Sequence, residues 1–142
     1  MSNLKAALIQ LQCEFVAERN RVNPNSLSWL QYDILHLLQQ KGPASPSQLS
    51  EKLQIRPSKF SKAVKELKEK HYVTQTISEE DGRGLRTQIS NTGLAFLDSI
   101  DAGHSALYET AVEHFSPEEQ QCFTQLANKL SFALEQERTR KE

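Results

Sequence analysis

Residues 79–90 read EEDGRGLRTQIS. Gly82 and Gly84 flank Arg83, and glycine accepts the positive φ angles that tight turns need. On either side, Tyr72–Ile77 and Leu85–Ile89 alternate and are rich in β-branched and aromatic residues. Such runs, separated by a turn signal, predict a hairpin with residues 79–84 at its tip. Arg83 stands at the apex, and Asp81 two residues earlier can pair with it and limit its rotamers.

Upstream of the hairpin the pattern is helical. Ser45-Pro46-Ser47-Gln48 is a capping box with proline at the first helical position, where its missing N–H costs nothing. Leu49 and Leu53 face inward on the short helix that follows. Arg56-Pro57-Ser58 starts the next helix, with Phe60, Val64 and Leu67 as its buried stripe. Ser58, Lys59, Ser61, Lys62 and Lys65 are left outward. Two helices joined by a few residues, the second carrying small polar and basic side chains outside, form a helix-turn-helix pattern. A hairpin after it makes the winged-helix arrangement. Arg83 would then meet a minor groove or its phosphates. Arg86 alternates along the second strand, where contact with nucleic acid and plain solvation compete.

Further out, residues 3–19 predict a helix with two apolar patches. Leu4, Leu8, Leu11 and Phe15 form one stripe, and Ala6, Ile9, Cys13 and Val16 a second. A helix apolar on two sides needs two partners, of which one can be a second chain. Asn23-Pro24-Asn25 ends it. Ser28-Trp29-Leu30-Gln31 is another capping box, with Leu27 and Tyr32 in staple positions and Leu30, Ile34, Leu37 and Leu38 on the core face. Ser90 caps a long helix to about His114, lined by Leu94, Leu97, Leu107, Ala111 and Phe115. Ser116-Pro117-Glu118-Glu119 opens the last helix, whose seam is Phe123, Leu126, Leu130, Ala133 and Leu134.

The totals agree with one domain of 142 residues. The net charge of −1 hides a split. Residues 41–90 hold ten Lys/Arg against six Asp/Glu, so a basic middle of about +4 lies between acidic flanks. No signal peptide or membrane span is read, which places the expected location in the cytoplasm. The two cysteines, Cys13 and Cys122, form neither a disulfide framework nor a metal-binding pair; both read as buried packing residues. No cofactor motif, metal cluster or catalytic signature appears, so no enzyme is expected.

These residues resemble the MarR family, the multiple-antibiotic-resistance regulators, over nearly the whole chain. The family's wing pattern is D-x-R, five residues, an aliphatic, Ser/Thr, two residues and Gly. Here it is Asp81-Gly82-Arg83, Gly84 to Gln88, then Ile89-Ser90-Asn91-Thr92-Gly93. Leu27–Tyr32 with Ile34-Leu35 resembles the family's second helix, and Pro57–Val64 its recognition helix. The resemblance implies an α+β, mostly α fold. It comprises a winged helix-turn-helix lobe over 26–90, with N- and C-terminal dimerisation helices over 1–22 and 91–142. It also implies a homodimer that binds inverted-repeat double-stranded DNA, usually represses transcription, and in many members releases DNA on binding a small aromatic acid.

The DNA-binding set is then Arg56, Ser58, Lys59, Ser61, Lys62, Lys65, Asp81, Arg83 and Arg86. An effector pocket between the lobe and the dimer helices would draw on Phe15, Trp29, Tyr32 and His36, with ordinary core packing as the competing reading. Two departures stand out. His71 replaces the family's common Gly before the first wing strand and is expected at positive φ. Arg56 sits at the N-cap of the recognition helix, where it caps poorly. The alternative reading of the whole chain is a winged-helix protein-interaction module with a solvated basic face.

Overall fold

The computed structural model describes residues 3–22, 27–77 and 84–140, except the side chains of 101–105. The elements run α1 (Asn3–Arg21), α2 (Trp29–Lys41), α3 (Pro46–Leu53), α4 (Pro57–Glu69), β1 (Val73–Ile77), β2 (Leu85–Ile89), α5 (Asn91–His114) and α6 (Pro117–Arg140). This is the expected mostly helical winged-helix order. The chain forms two compact units, Met1–Gly103 and His104–Glu142. Among the described residues no helix is long and apolar enough to cross a membrane.

In the first unit, α2 and α3 start where their capping residues predict. Ser28 and Ser45 lie in extended backbone, and each hydroxyl accepts from the N–H three residues on, Gln31 and Gln48. Both glutamines return the bond to the cap N–H, at 3.0 Å for Ser28 and 2.9 Å for Ser45. Leu27 and Tyr32 are both buried, as a hydrophobic staple requires. Gly42, at φ 85°, ends α2 with its N–H on the Leu38 carbonyl. Open space surrounds that position, so the positive φ is what selects glycine there.

The core of this unit is built from α2, α3, α4, β1 and the first turns of α5. Ile34, Leu35, Leu38, Phe60, Leu67 and Leu97 are its most deeply buried large side chains. Of the core face read from spacing, Ile34 and Leu38 are buried and Leu30 and Leu37 are half-buried at its edge; the buried arc is shifted toward Gln31, Tyr32 and Leu35.

The two strands pair antiparallel, with Val73 opposite Ile89 and Ile77 opposite Leu85. Ala44, between α2 and α3, adds a bridge on the outer side of β2: its N–H donates to the Thr87 carbonyl at 3.0 Å and its carbonyl accepts from the Thr87 N–H at 2.8 Å. Thr87 is fully buried, and its hydroxyl accepts from Gln75 Nε2. The wing is thereby anchored to the helical part by backbone bonds that the sequence pattern did not announce.

α1 is tied to α2 by polar contacts. Arg19 makes two hydrogen bonds to the Asp33 carboxylate, at 3.0 and 2.9 Å. The Trp29 indole N–H donates to the Arg19 carbonyl, and the Arg19 guanidinium lies 4.6 Å over the Trp29 ring. At the same end, a hydrogen bond from Arg21 holds the Glu18 carboxyl below its usual range, with their charge attraction adding to it.

In the second unit, Ser116 caps α6 through a reciprocal pair with Glu119, as its capping box predicts. Phe115 and Phe123 lie 5.5 Å apart across the α5–α6 turn. Neither α1 nor α6 has a buried residue. Their apolar positions Leu4, Leu8, Ile9, Phe15, Val16, Phe123, Leu126, Leu130 and Leu134 are exposed. The expectation that Cys13 and Cys122 are buried is therefore corrected: both are exposed thiols in the single chain. Their helices lack an apolar partner here, so a position on an apolar stripe does not bring burial with it.

Candidate nucleic-acid interface

The geometry of the helix-turn-helix is set at Gln54. It adopts a left-handed conformation, φ 56° and ψ 47°, and ends α3. Its N–H and its side-chain amide both donate to the Glu51 carbonyl, and the Ile55 N–H donates to Ser50. These bonds satisfy carbonyls that a helix end leaves open. α4 then begins at Pro57 with Arg56 as its N-cap, and Arg56 makes no capping bond from its side chain. That matches the expectation of a poor cap and leaves the guanidinium exposed beside the helix start.

Along α4 each residue turns by about 100°. Phe60, Ala63, Val64 and Leu67 are buried together. Ser58, Lys62 and Lys65 fall on the opposite side, within about 60° of arc. Ser61 and Lys59 flank them on either edge, and all five of these residues are exposed. The sequence-predicted set on α4 thus shares one outward face. Lysine offers a flexible point charge suited to phosphate oxygens, and the serine hydroxyls can donate to phosphates or base edges.

On the wing, Arg86 is exposed on β2 opposite Thr76. Its neighbour Thr87 points inward, so the strand alternation turns Arg86 outward. Asp81 and Arg83 lie outside the described residues.

α4 ends in a Schellman motif: the Tyr72 N–H donates to Leu67 and the His71 N–H to Lys68, each at 3.0 Å. His71 has φ 66°, as expected from its place where the family commonly has Gly. The Ser90 hydroxyl donates to the His71 carbonyl at 2.6 Å and accepts from the Gly93 N–H at 3.0 Å. The end of α4 and the start of α5 are thereby locked together.

Of the four residues considered for an effector pocket, three form a row on α2. Trp29 meets Tyr32 edge to face, with centroids 5.4 Å apart. Tyr32 stacks on His36 at 6.2 Å. Tyr32 is buried and His36 exposed, while Phe15 is an exposed residue of α1.

One residue at this site was not singled out from sequence for the role it takes. Gln31 is 3% exposed. Besides serving the α2 capping box, its Nε2 donates to Glu66 Oε2 at 2.7 Å and to the Ala63 carbonyl at 3.3 Å, both on α4. The available signal was a polar residue three, four and seven positions from Ile34, Leu35 and Leu38, on their apolar stripe.

Residues 25–84 match the model of the MarR family. No curated protein matches the chain. Among solved structures, a MarR protein from Peptoclostridium difficile is similar at TM-score 0.73 and 21% identity, with 99% of this chain and 93% of that one covered. BpsR of Bordetella bronchiseptica, whose DNA binding is regulated by 6-hydroxynicotinic acid, is similar at TM-score 0.70 and 18% identity, covering 92% and 99%. Apo MarR from E. coli follows at TM-score 0.72 and 14% identity, covering 92% and 96%. MarR-family proteins are transcriptional regulators rather than enzymes. Residues 25–84 thus match the MarR family model, and over nine-tenths of its length the chain shares the winged-helix fold of these solved structures.

Proposed function

We propose that the protein is a homodimeric, sequence-specific DNA-binding regulator that represses transcription from inverted-repeat operators. The observation that carries this reading is the α4 face: Ser58, Lys62 and Lys65 point outward, directly opposite the buried Phe60–Leu67 stripe. A helix held this way by its core can present its polar side to a major groove. Lys59 and Ser61 flank the same face, and Arg56 at the helix start, Arg86 on β2, and Asp81 and Arg83 on the wing would extend the contact.

The apolar residues left exposed on α1 and on α6 support dimerisation. A second copy covering them would remove that surface from water. It would also supply the second recognition helix, about 34 Å from the first, that one face of B-form DNA requires. The protein would work in the cytoplasm. A small aromatic acid binding near Trp29, Tyr32 and His36 would release DNA by favouring a dimer whose α4 helices are spaced wrongly. The precedent is BpsR, whose DNA binding responds to such an acid.

Selection of duplexes from a random-sequence library by the purified protein tests the reading. Recovery of an inverted repeat, bound by two chains per duplex, is the expected result. Recovery of no preferred sequence, or a salt-independent association, would favour a protein-interaction module instead.

A further inference from the structure

We propose that Gln31 is a positioning residue for the recognition helix, acting on sequence preference through Glu66. The inference rests on the DNA-binding reading above and names a residue that does not itself reach the duplex.

Gln31 uses its whole amide. Oε1 accepts from the Ser28 N–H at 3.0 Å, while Nε2 donates to the Ala63 carbonyl at 3.3 Å and to Glu66 at 2.7 Å. The group is buried, so each lost bond would leave a polar atom without water. One planar amide therefore fixes the first turn of α2 against the middle of α4. Apolar packing alone is non-directional and tolerates small slides and rolls; a hydrogen-bonded amide does not. Glu66 lies at the Lys59 edge of the outward arc. Bound to Gln31, its carboxylate is turned toward α2 and away from Ser58, Lys62 and Lys65. A carboxylate released toward that face would repel phosphates, and a rolled α4 would misplace the serines and lysines. Hydrogen-bond geometry at base edges is lost with small displacements, whereas attraction to phosphates is not. Cutting the tie should reduce discrimination more than general affinity.

The test uses the full-length protein, a duplex selected from the random library, and a scrambled duplex of the same composition. Gln31→Glu keeps the capping box, since glutamate serves at that position as well. It abolishes both donations to α4 and sets two carboxylates face to face. Preference for the selected duplex should fall about ten-fold, a coupling usual for residues in contact. Glu66→Gln alone retains an acceptor and should leave the preference unchanged. In the double variant Gln31→Glu/Glu66→Gln an amide again donates to a carboxylate, and preference should return to within about three-fold of wild type. Glu66→Ala, which leaves α2 untouched, covers the case in which Gln31→Glu fails to fold. It should lower the preference while raising binding to the scrambled duplex, because a negative charge is lost. Additive single and double effects, or an unchanged preference in Glu66→Ala, would overturn the inference while leaving DNA binding intact. A wild-type protein that selects no sequence would overturn both.

Discussion

The Ser90 hydroxyl reaches back 19 residues to the carbonyl of His71, at 2.6 Å, across the base of the wing. The same oxygen caps α5 by accepting from Gly93. One side chain therefore closes the hairpin, terminates the recognition helix region and starts the next helix. Ser90→Ala should destabilise the fold by about 2 kcal/mol, a cap plus a side-chain bond. Denaturant unfolding measures it, and a loss below a few tenths would show that the cap is dispensable.

His71 occupies a left-handed conformation that costs an ordinary residue about 1–2 kcal/mol. Glycine removes that cost, although its looser unfolded chain takes back about 0.5–1 kcal/mol. His71→Gly should therefore fold normally and be slightly more stable. His71→Val should lose stability, because a β-branched residue tolerates positive φ least. Thermal melts of the two variants should move in opposite directions.

Gly93 illustrates a different reason for glycine. It is buried, and a Cβ there would collide with the Tyr72 carbonyl and with Ile89 Cγ1. The carbonyl is backbone and also accepts from the Ser90 N–H, so it cannot swing away. Gly93→Ala would ordinarily gain about 1 kcal/mol in a helix. Here overpacking of about 1–3 kcal/mol should outweigh that gain. A lowered melting temperature is the expected outcome, and a raised one would mean that α5 can shift without cost.

Much of this was legible in the chain, because the signals were local. Ser28, Ser45 and Ser116 each announced a helix through a residue three places on. The alternation of Tyr72–Ile77 and Leu85–Ile89 announced the hairpin. The position of His71 announced its backbone angle. The features that escaped are contacts between distant residues. Ala44 gives no pattern that points to Thr87. Gln31 reads as a cap residue until Ala63 and Glu66 are brought beside it. The cysteines were misread for a related reason: an apolar stripe shows that a helix has something to bury, not whether its own chain supplies the cover. Asp81 and Arg83, the centre of the quoted motif, lie outside the described residues, so the wing contribution rests on Arg86 and on the hairpin itself.

The exposed seam of α6 gives a test of assembly. Leu126 is 59% and Leu130 44% exposed in the single chain. If a second copy covers them, Leu130→Glu buries an unpaired carboxylate at the interface, a strongly unfavourable change. Sedimentation should find a dimer for the wild type and a monomer with unchanged helix content for the variant. A monomeric wild type would contradict the proposed dimer.

The central claim is that the outward face of α4 holds duplex DNA. Binding of the selected duplex by wild type and by Lys59→Ala, Lys62→Ala and Lys65→Ala, each followed over a salt series, tests it most directly. Each lysine that neutralises a phosphate should, when removed, lower affinity and reduce the slope of log affinity against log salt by about one. Wild-type affinity and slope in all three variants would contradict the account.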